Sequence, residues 1–414
     1  MYKTISKTTS WEEISRAEYG TTSRANDLKK LNNDHDGNVI VYKKDKLLNT
    51  NNSSNNTNNK TNNDIYLEIN NLKIESFIKI DLFNSITDIK SAILYLHRID
   101  DIKIFDNCTI ILNSNKNNKG NNNSIFLKGY IKNITPVLNS ENLYYMVQIK
   151  SYAGILIDSV VPFELEYINS NLKEIVNQIC SCYNINVEFS SNSNDKSIIE
   201  YKINNEINNS ATARINETCW SFITRLCNSR GLLVRDLGNG TISIGTIGNN
   251  ATNTNSTTNN NKTTQSKYSF ILGNSTITNW LPLYNYDNLA RYYEIYSQFN
   301  TNSKELIVFE AIKLPITKRI INNEINEGIL SNYANWLICR EIGKAIKVQI
   351  EINGNLSEIN TGDYVNIQNN KIGFKSETQM LIENKIINYP NKTILTLTLP
   401  CAYNGTLPDT LPYV

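Results

Sequence analysis

Two histidines, His35 and His97, are all that a chain of 414 residues offers, and nothing near them makes a metal-binding spacing. Charge of one sign is missing as well. The 41 basic and 39 acidic residues leave a net charge of +2, so no global electrostatic case for nucleic acid or a membrane surface exists. Charged residues are only 19% of the chain and hydrophobic ones 40%, both somewhat low. No run of about 18 apolar residues occurs, so no membrane span is expected. Met1-Tyr2-Lys3-Thr4-Ile5 leads into no apolar core segment, so the start does not read as a secretory signal. No Gly-x-Ser-x-Gly, His-Glu-x-x-His or Walker motif is present.

Seven cysteines remain: Cys108, Cys180, Cys182, Cys219, Cys227, Cys339 and Cys401. An odd number in a long chain without a leader argues for buried free thiols rather than a disulfide framework. Cys180-x-Cys182 is not a zinc spacing. What fills the composition is asparagine, about a sixth of the chain. Together with Lys and Ile it reports base composition more than function. The many N-x-S/T triplets follow from it and carry no separate meaning.

Low-complexity stretches divide the chain. Residues 49–64 are almost all Asn, Ser and Thr, and residues 113–124 and 249–267 are similar. Such segments bury too little apolar area to offset their ordering entropy, so each reads as a linker or an expanded loop. The second lies between two strand-like runs and reads as a long hairpin loop.

Residues 1–48 read as strand, helix, helix, strand. Ser10 with Glu13 forms a capping box, and a second short helix runs over 23–31. Residues 65–163 carry strand periodicity: Ile78, Ile80 and Leu82 alternate with Lys79 and Asp81. One helix is predicted over 86–97, with Ile89, Ile93 and Leu96 on one face. Residues 164–248 switch to two helix–strand units. Asn171 caps the first helix with Glu174, and Leu172, Ile175, Val176, Ile179 and Tyr183 form its stripe. Cys219, Phe222, Ile223, Leu226 and Cys227 form the second stripe. Gly238-Asn239-Gly240 then turns a hairpin. Residues 268–414 are again mostly strand. Ile346, Val348, Ile350 and Ile352 alternate with polar residues, Asn353-Gly354 reads as a tight hairpin turn, and Leu395, Leu397 and Leu399 alternate with Thr. One helix is predicted over 323–341, and 292–299 fits strand or helix equally. The fold class is mainly β with an α+β middle.

The search for chemistry finds no catalytic residue, no cofactor site and no metal site. Gly238-x-Gly240 lacks the third glycine of a phosphate loop and lies between strands. His97-Arg98-Ile99-Asp100-Asp101 reads as a helix end and a solvated turn rather than an acid–base cluster. Glu12-Glu13 suit a helix N-terminus, and Glu164 and Glu166 flank Leu165 on a solvent or subunit face. Twenty-three tyrosines are compatible with large protein interfaces.

Residues 1–48 resemble a LysM domain through Tyr2, Trp11, Ile14, Ala17, Tyr19-Gly20, Leu28, Asn32 and Leu47, but Thr8-Thr9-Ser10 and Lys44-Asp45 depart from its pattern. Free-standing modules of that kind bind peptidoglycan; in tail proteins they serve more often as structural pegs. From Ile65 to Asn404 the order of parts resembles the baseplate hub protein of Mu-like contractile phage tails. Gly129-Tyr130-Ile131 and the segment 151–158 come first. The run 216–233 with Trp220 and Arg230-Gly231 follows, then Trp336, the segment 360–365 and the terminal Thr396–Tyr403. The resemblance implies two tail-tube-like β-barrel domains (65–163 and 268–414) flanking the 164–248 domain. It also implies a homotrimeric ring that adapts a sixfold tube to a threefold spike and lines the central channel, as at the base of type VI secretion spikes. The implied partners are the tail tube protein, the central spike protein and the wedge proteins of the baseplate, in a virion assembled in the bacterial cytoplasm. No sequence-specific nucleic acid contact is expected. The alternative reading is a cell-wall protein that binds peptidoglycan through residues 1–48.

Overall fold

Alternating apolar and polar residues set most of this chain into strands. The structure, a computed structural model, describes residues 2–5, 40–43, 65–74, 77–99, 102–113, 123–138, 143–162, 166–190, 207–247, 268–274, 276–297, 304–322, 330–354, 356, 359–390 and 392–412. Residues 1–62 and 63–414 are separate compact units. In the first, β1 (Tyr2–Ile5) pairs antiparallel with β2 (Ile40–Lys43), Tyr2 opposite Lys43. The two helices expected between them, with the Ser10 capping box, lie outside the described residues.

The second unit opens with seven strands: β3 (Ile65–Ile69), β4 (Leu72–Ile74), β5 (Lys79–Ser85), β6 (Ser91–Leu96), β7 (Asn107–Asn113), β8 (Asn123–Leu138) and β9 (Leu143–Ser151). They pair in the order β5-β6-β9-β8-β7-β3-β4. Asn70 and Asn71, both at positive φ, turn the β3–β4 hairpin, a conformation asparagine tolerates. The inward side chains Leu67, Ile80, Leu82, Leu94, Ile110, Leu127 and Val147 are fully buried together. The helix predicted over 86–97 is instead β6. Its residues satisfy both periods, since Ala92, Leu94 and Leu96 also alternate, and β6 has a strand on each side to pair with. Pairing on both edges outweighs a local helical pattern. The predicted long hairpin loop does separate a strand pair, β7 and β8, matched down to Asn113 opposite Asn123.

The middle part comprises α1 (Gly154–Asp158), β10 (Glu166–Asn171), α2 (Leu172–Ser181), β11 (Asn186–Ser190), β12 (Ile207–Thr212), α3 (Cys219–Asn228), β13 (Leu233–Asp236) and β14 (Thr241–Gly245). Asn171 and Glu174 form the reciprocal capping box at 2.9 and 3.0 Å. Thr218 caps α3. The apolar faces of α2 and α3 meet in one core with Cys180, Cys219 and Cys227. Their leading strands β10 and β12 pair antiparallel, and their trailing strands join a sheet of order β11-β14-β13. Two strand–helix–strand units are thus packed face to face.

The last part holds β15 (Tyr268–Ile271), β16 (Ile277–Tyr284), β17 (Tyr292–Ser297), β18 (Lys304–Val308), β19 (Thr317–Asn322), α4 (Leu330–Ala345), β20 (Ile346–Asn353), β21 (Tyr364–Asn369), β22 (Phe374–Tyr389), β23 (Lys392–Thr398) and α5 (Cys401–Asn404). The ambiguous stretch from Tyr292 is the central strand of the sheet β18-β17-β19. The helix predicted over 323–341 is described from Leu330 and runs on to Ala345, because Ile338, Ile342 and Ala345 extend its buried face. Asn353-Gly354 does not turn a two-residue hairpin. Strand β20 pairs with β16 and β23, and the next strand begins only at Tyr364.

The two β regions, expected as two barrel-like domains, are continuous. The far half of the 16-residue β22 pairs with β23 on one side and β5 on the other, so 13 strands form one sheet. Among the described residues that sheet is open: the path runs from β16 to β4, with β15 and β21 branching from β22, and neither region closes a ring by itself.

Candidate functional site

The hairpin between β13 and β14 is driven into the first β region. Gly238 and Gly240 both have positive φ (82° and 86°), which turn residues with a Cβ resist. A Cβ on Gly238 would lie 2.4 Å from the Phe126 carbonyl oxygen and 2.7 Å from Lys90 Cδ. Lys128 N donates to Gly238 O at 2.5 Å.

Asp236, at the end of β13, is only 4% exposed. Its Oδ1 accepts from Gly238 N at 2.8 Å, and its Oδ2 accepts from the Lys90 backbone N at 2.8 Å and from Ser151 Oγ. Lys90 Nζ donates to Leu237 O at 2.9 Å and lies 5.5 Å from the Phe126 ring centre. Burial lowers the Lys90 pKa, and the Asp236 carboxylate opposes that shift. This is a buried charge with its partners in place, the condition under which such a group is tolerated.

The segment 129–158 brackets this junction. Gly129 faces Lys150 so closely that a Cβ would lie 1.8 Å from its carbonyl oxygen. Asp158, ending α1, accepts from Lys132 Nζ at 2.7 Å, Lys150 Nζ at 3.2 Å and Tyr130 Oη at 3.2 Å. Partial burial pushes its carboxyl up, but the two lysines outweigh that and hold it below the usual range. Burial, then Asp158, raises Tyr130.

A third contact set joins all three parts. Ile86 from the first, Leu233 and Ile247 from the middle, and Trp336, Leu381, Ala402 and Tyr403 from the last form one apolar cluster. Tyr403 Oη donates to Glu383 Oε1 at 2.9 Å, and Lys347 Nζ lies 2.5 Å from Glu383 Oε2. Ile86 N donates to Glu383 O at 3.0 Å.

These titratable groups are engaged with one another, and the arrangement holds parts together instead of presenting a reactive atom. Burial pushes the thiols of Cys108, Cys180 and Cys227 up to about 12, far from the thiolate that nucleophilic chemistry needs. Cys180 is buried and Cys182 exposed. Among the described residues no group of three or more His, Cys, Asp or Glu is gathered for a metal, and no helix is long and apolar enough to cross a membrane. Gly238 and Gly240 sit in a hairpin, as their spacing implied. His97 follows a strand, not a helix, and is exposed. Glu166 is exposed at the start of β10. Glu12, Glu13, Glu164, Asp100 and Asp101 lie outside the described residues. Sequence reasoning missed Lys90, Asp236 and Glu383. A lysine between Ile89 and Ser91 gives no sign of a partner 146 residues away.

Residues 153–246 match the family described as baseplate hub protein gp44-like, second domain. The matched span runs from the residue before α1 to the end of β14, and thus holds the whole docked middle part. No curated protein sequence matches the chain. Among solved structures, the 43 kDa tail protein of prophage MuSo2 from Shewanella oneidensis shares the fold. Its TM-score is 0.65 at 16% identity, over 82% of this chain and 99% of that one. A tail protein from Neisseria meningitidis MC58 gives 0.64 at 12% identity, over 84% and 99%. A chain of the half-lidded Francisella PdpA–VgrG complex gives 0.52 at 12% identity, over 84% of this chain and 60% of that one. The chain shares a mainly β fold with these two tail proteins and with a chain of that VgrG complex.

Proposed function

We propose that this chain is a structural baseplate hub of a contractile phage tail or a phage-derived injection particle. It acts as a homotrimeric ring between the sixfold tail tube and the threefold spike. The observation that carries the reading is the hub-domain match over 153–246, seated in a fold shared with tail proteins over most of the chain. A second feature supports it. Among the described residues the 13-stranded sheet ends on unpaired edges at β4, at β16 and at the branch strand β15, and β16 carries Leu281 and Leu283, 45% and 43% exposed. Free edges with apolar side chains invite another strand. A head-to-tail contact between β4 of one copy and β16 of the next, closing after three copies, caps those two edges and sets the symmetry.

In this reading residues 65–163 and 268–414 supply the tube-like β regions, six in a trimer. Residues 164–248 brace them, and residues 49–64 and 249–267 are linkers. The ring passes DNA or the tape-measure protein by shape and reads no sequence. Its partners are the tube, spike and wedge proteins, and residues 1–48 are a LysM-like peg. Negative-stain images of the purified full chain test this: threefold particles with a central opening are expected, and isolated single subunits would overturn it. The competing role for residues 1–48 has its own test. Peptidoglycan should retain the full chain no better than a chain lacking residues 1–62.

A further inference from the structure

Eight strands of the large sheet share one face that no core covers. They run in the order β16-β20-β23-β22-β5-β6-β9-β8. On one side Val348, Leu395, Leu82, Leu94 and Val147 fill the two β cores. The alternate side chains point the other way. Register carries that second face across the seam between the two β regions. Glu351 stands opposite Ile394, Ile394 opposite Ile386, Ile386 opposite Phe83 and Phe83 opposite Ser91. Ile93, Ile386 and Ile394 on this face are half-buried and belong to none of the core clusters.

Five lysines lie on this face, and each has a carboxylate beside it. Lys79 is 2.9 Å from Asp81, Lys347 is 2.5 Å from Glu383 and Lys392 is 3.3 Å from Glu351. Asp158, at the end of α1, takes both Lys132 at 2.7 Å and Lys150 at 3.2 Å. Lys128 lies beyond this stretch, opposite Thr109 of β7. Asn279, Gln349, Thr396, Asn384, Gln148 and Asn133 add uncharged polar groups between the pairs. The five lysine side chains are between 24% and 43% exposed, so the pairs are open to a passing solute.

A row of free lysines holds a polyanion of any sequence, because each contact releases condensed counterions. A lysine with a carboxylate at its side holds far less, since one charge repels the phosphate while the other attracts it. Five lysines against four carboxylates leave this wide face close to neutral. We propose that this face is a wall past which duplex DNA slides, and that Asp158 and Glu351 cancel its lysines so that the passing phosphates are not held. The proposal rests on the hub reading above, in which the face without a core is the one left to line the channel.

The probe is a fluorescent 30-base-pair duplex, followed by anisotropy with the full chain in 0.1 M salt. The parent chain should bind no more tightly than about 100 μM. Asp158→Asn with Glu351→Gln frees Lys132, Lys150 and Lys392 and should tighten binding roughly tenfold or more, a gain that 0.3 M salt removes. Glu351→Gln alone should give a smaller gain in the same direction and leaves the Asp158 contacts intact. The control is Glu294→Gln with Glu310→Gln. It makes the same change in net charge but frees Arg319 and Arg291 off this face, beside the sheet β18-β17-β19. It should bind as the parent does. Tight, salt-sensitive binding by the parent, or equal gains in the double variant and the control, would overturn the proposal. The oligomeric mass is measured on the same samples. A trimer without a face-specific gain removes the charge cancelling and leaves the hub. A face-specific gain in a single chain keeps the charge cancelling and removes the hub.

Discussion

Asp81 on β5 and Asn388 on β22 stand opposite each other across the strand pair that fuses the two β regions, and Asn388 Nδ2 donates to Asp81 Oδ1 at 2.7 Å. Asp81 is 5% exposed, and Lys79 lies 2.9 Å from its other oxygen. A buried carboxylate is thus matched on both oxygens at the seam. Asn388→Ala removes one donor from a buried charged acceptor and should cost about 2 kcal/mol. Asn388→Asp sets two carboxylates opposite each other and should cost more, with a loss that shrinks in acid as one carboxyl takes up a proton. Denaturant unfolding of both variants at neutral and acidic pH checks the pair.

Docking of the β13–β14 hairpin should separate two glycines of similar backbone. Gly238 and Gly240 have φ of 82° and 86°, but a Cβ on Gly240 finds its nearest neighbour, Tyr152 Cδ2, at 3.8 Å. Gly240→Ala should therefore cost only backbone strain, on the order of 1 kcal/mol. Gly238→Ala adds a collision with the Phe126 backbone and should cost at least about 2 kcal/mol more. Thermal melts of the two variants decide it, and equal losses would mean the hairpin is not wedged as described.

Asp236 links Lys90, Ser151 and Gly238, so its neighbours should be energetically coupled. Asp236→Ala strands two buried donors and one partly buried donor and should cost about 3 kcal/mol or more, while Ser151→Ala should cost about 1 kcal/mol. The double variant should lose less than the sum of the singles, the signature of a shared contact. A double-mutant cycle by chemical unfolding measures this.

Acid should loosen the middle part. The Glu217 carboxyl is pushed up by burial but held below its usual value by Arg225, with Arg214 helping, and Asp158 is likewise lowered by its lysines. A carboxylate with a depressed folded pKa contributes stability above its unfolded pKa and loses it as pH falls through the folded one. Stability should be flat near neutrality and decline below about pH 4. Glu217→Gln and Asp158→Asn should be less stable at pH 7 and show a shallower acid decline.

Local pattern carried much of this architecture. The stripes of α2 and α3, the Asn171–Glu174 box and the alternation of β20 and β23 are all visible in the sequence, because each is decided within a dozen residues. Ile89, Ile93 and Leu96 misled because their spacing fits a helix, while the decision belonged to β5 and β9 on either side. The seam between β5 and β22 joins residues about 300 positions apart, and no window along the chain contains both. Lys90 with Asp236 shares that character. Each reads as an ordinary residue of its segment until the fold places its partner.

The proposed ring of three copies is tested by the mass of the purified full chain, measured by light scattering. A ring gives three chain masses, stable on dilution, with a shift to smaller species when Leu281 and Leu283 on the β16 edge are replaced by lysine. A single chain mass at every concentration would contradict it.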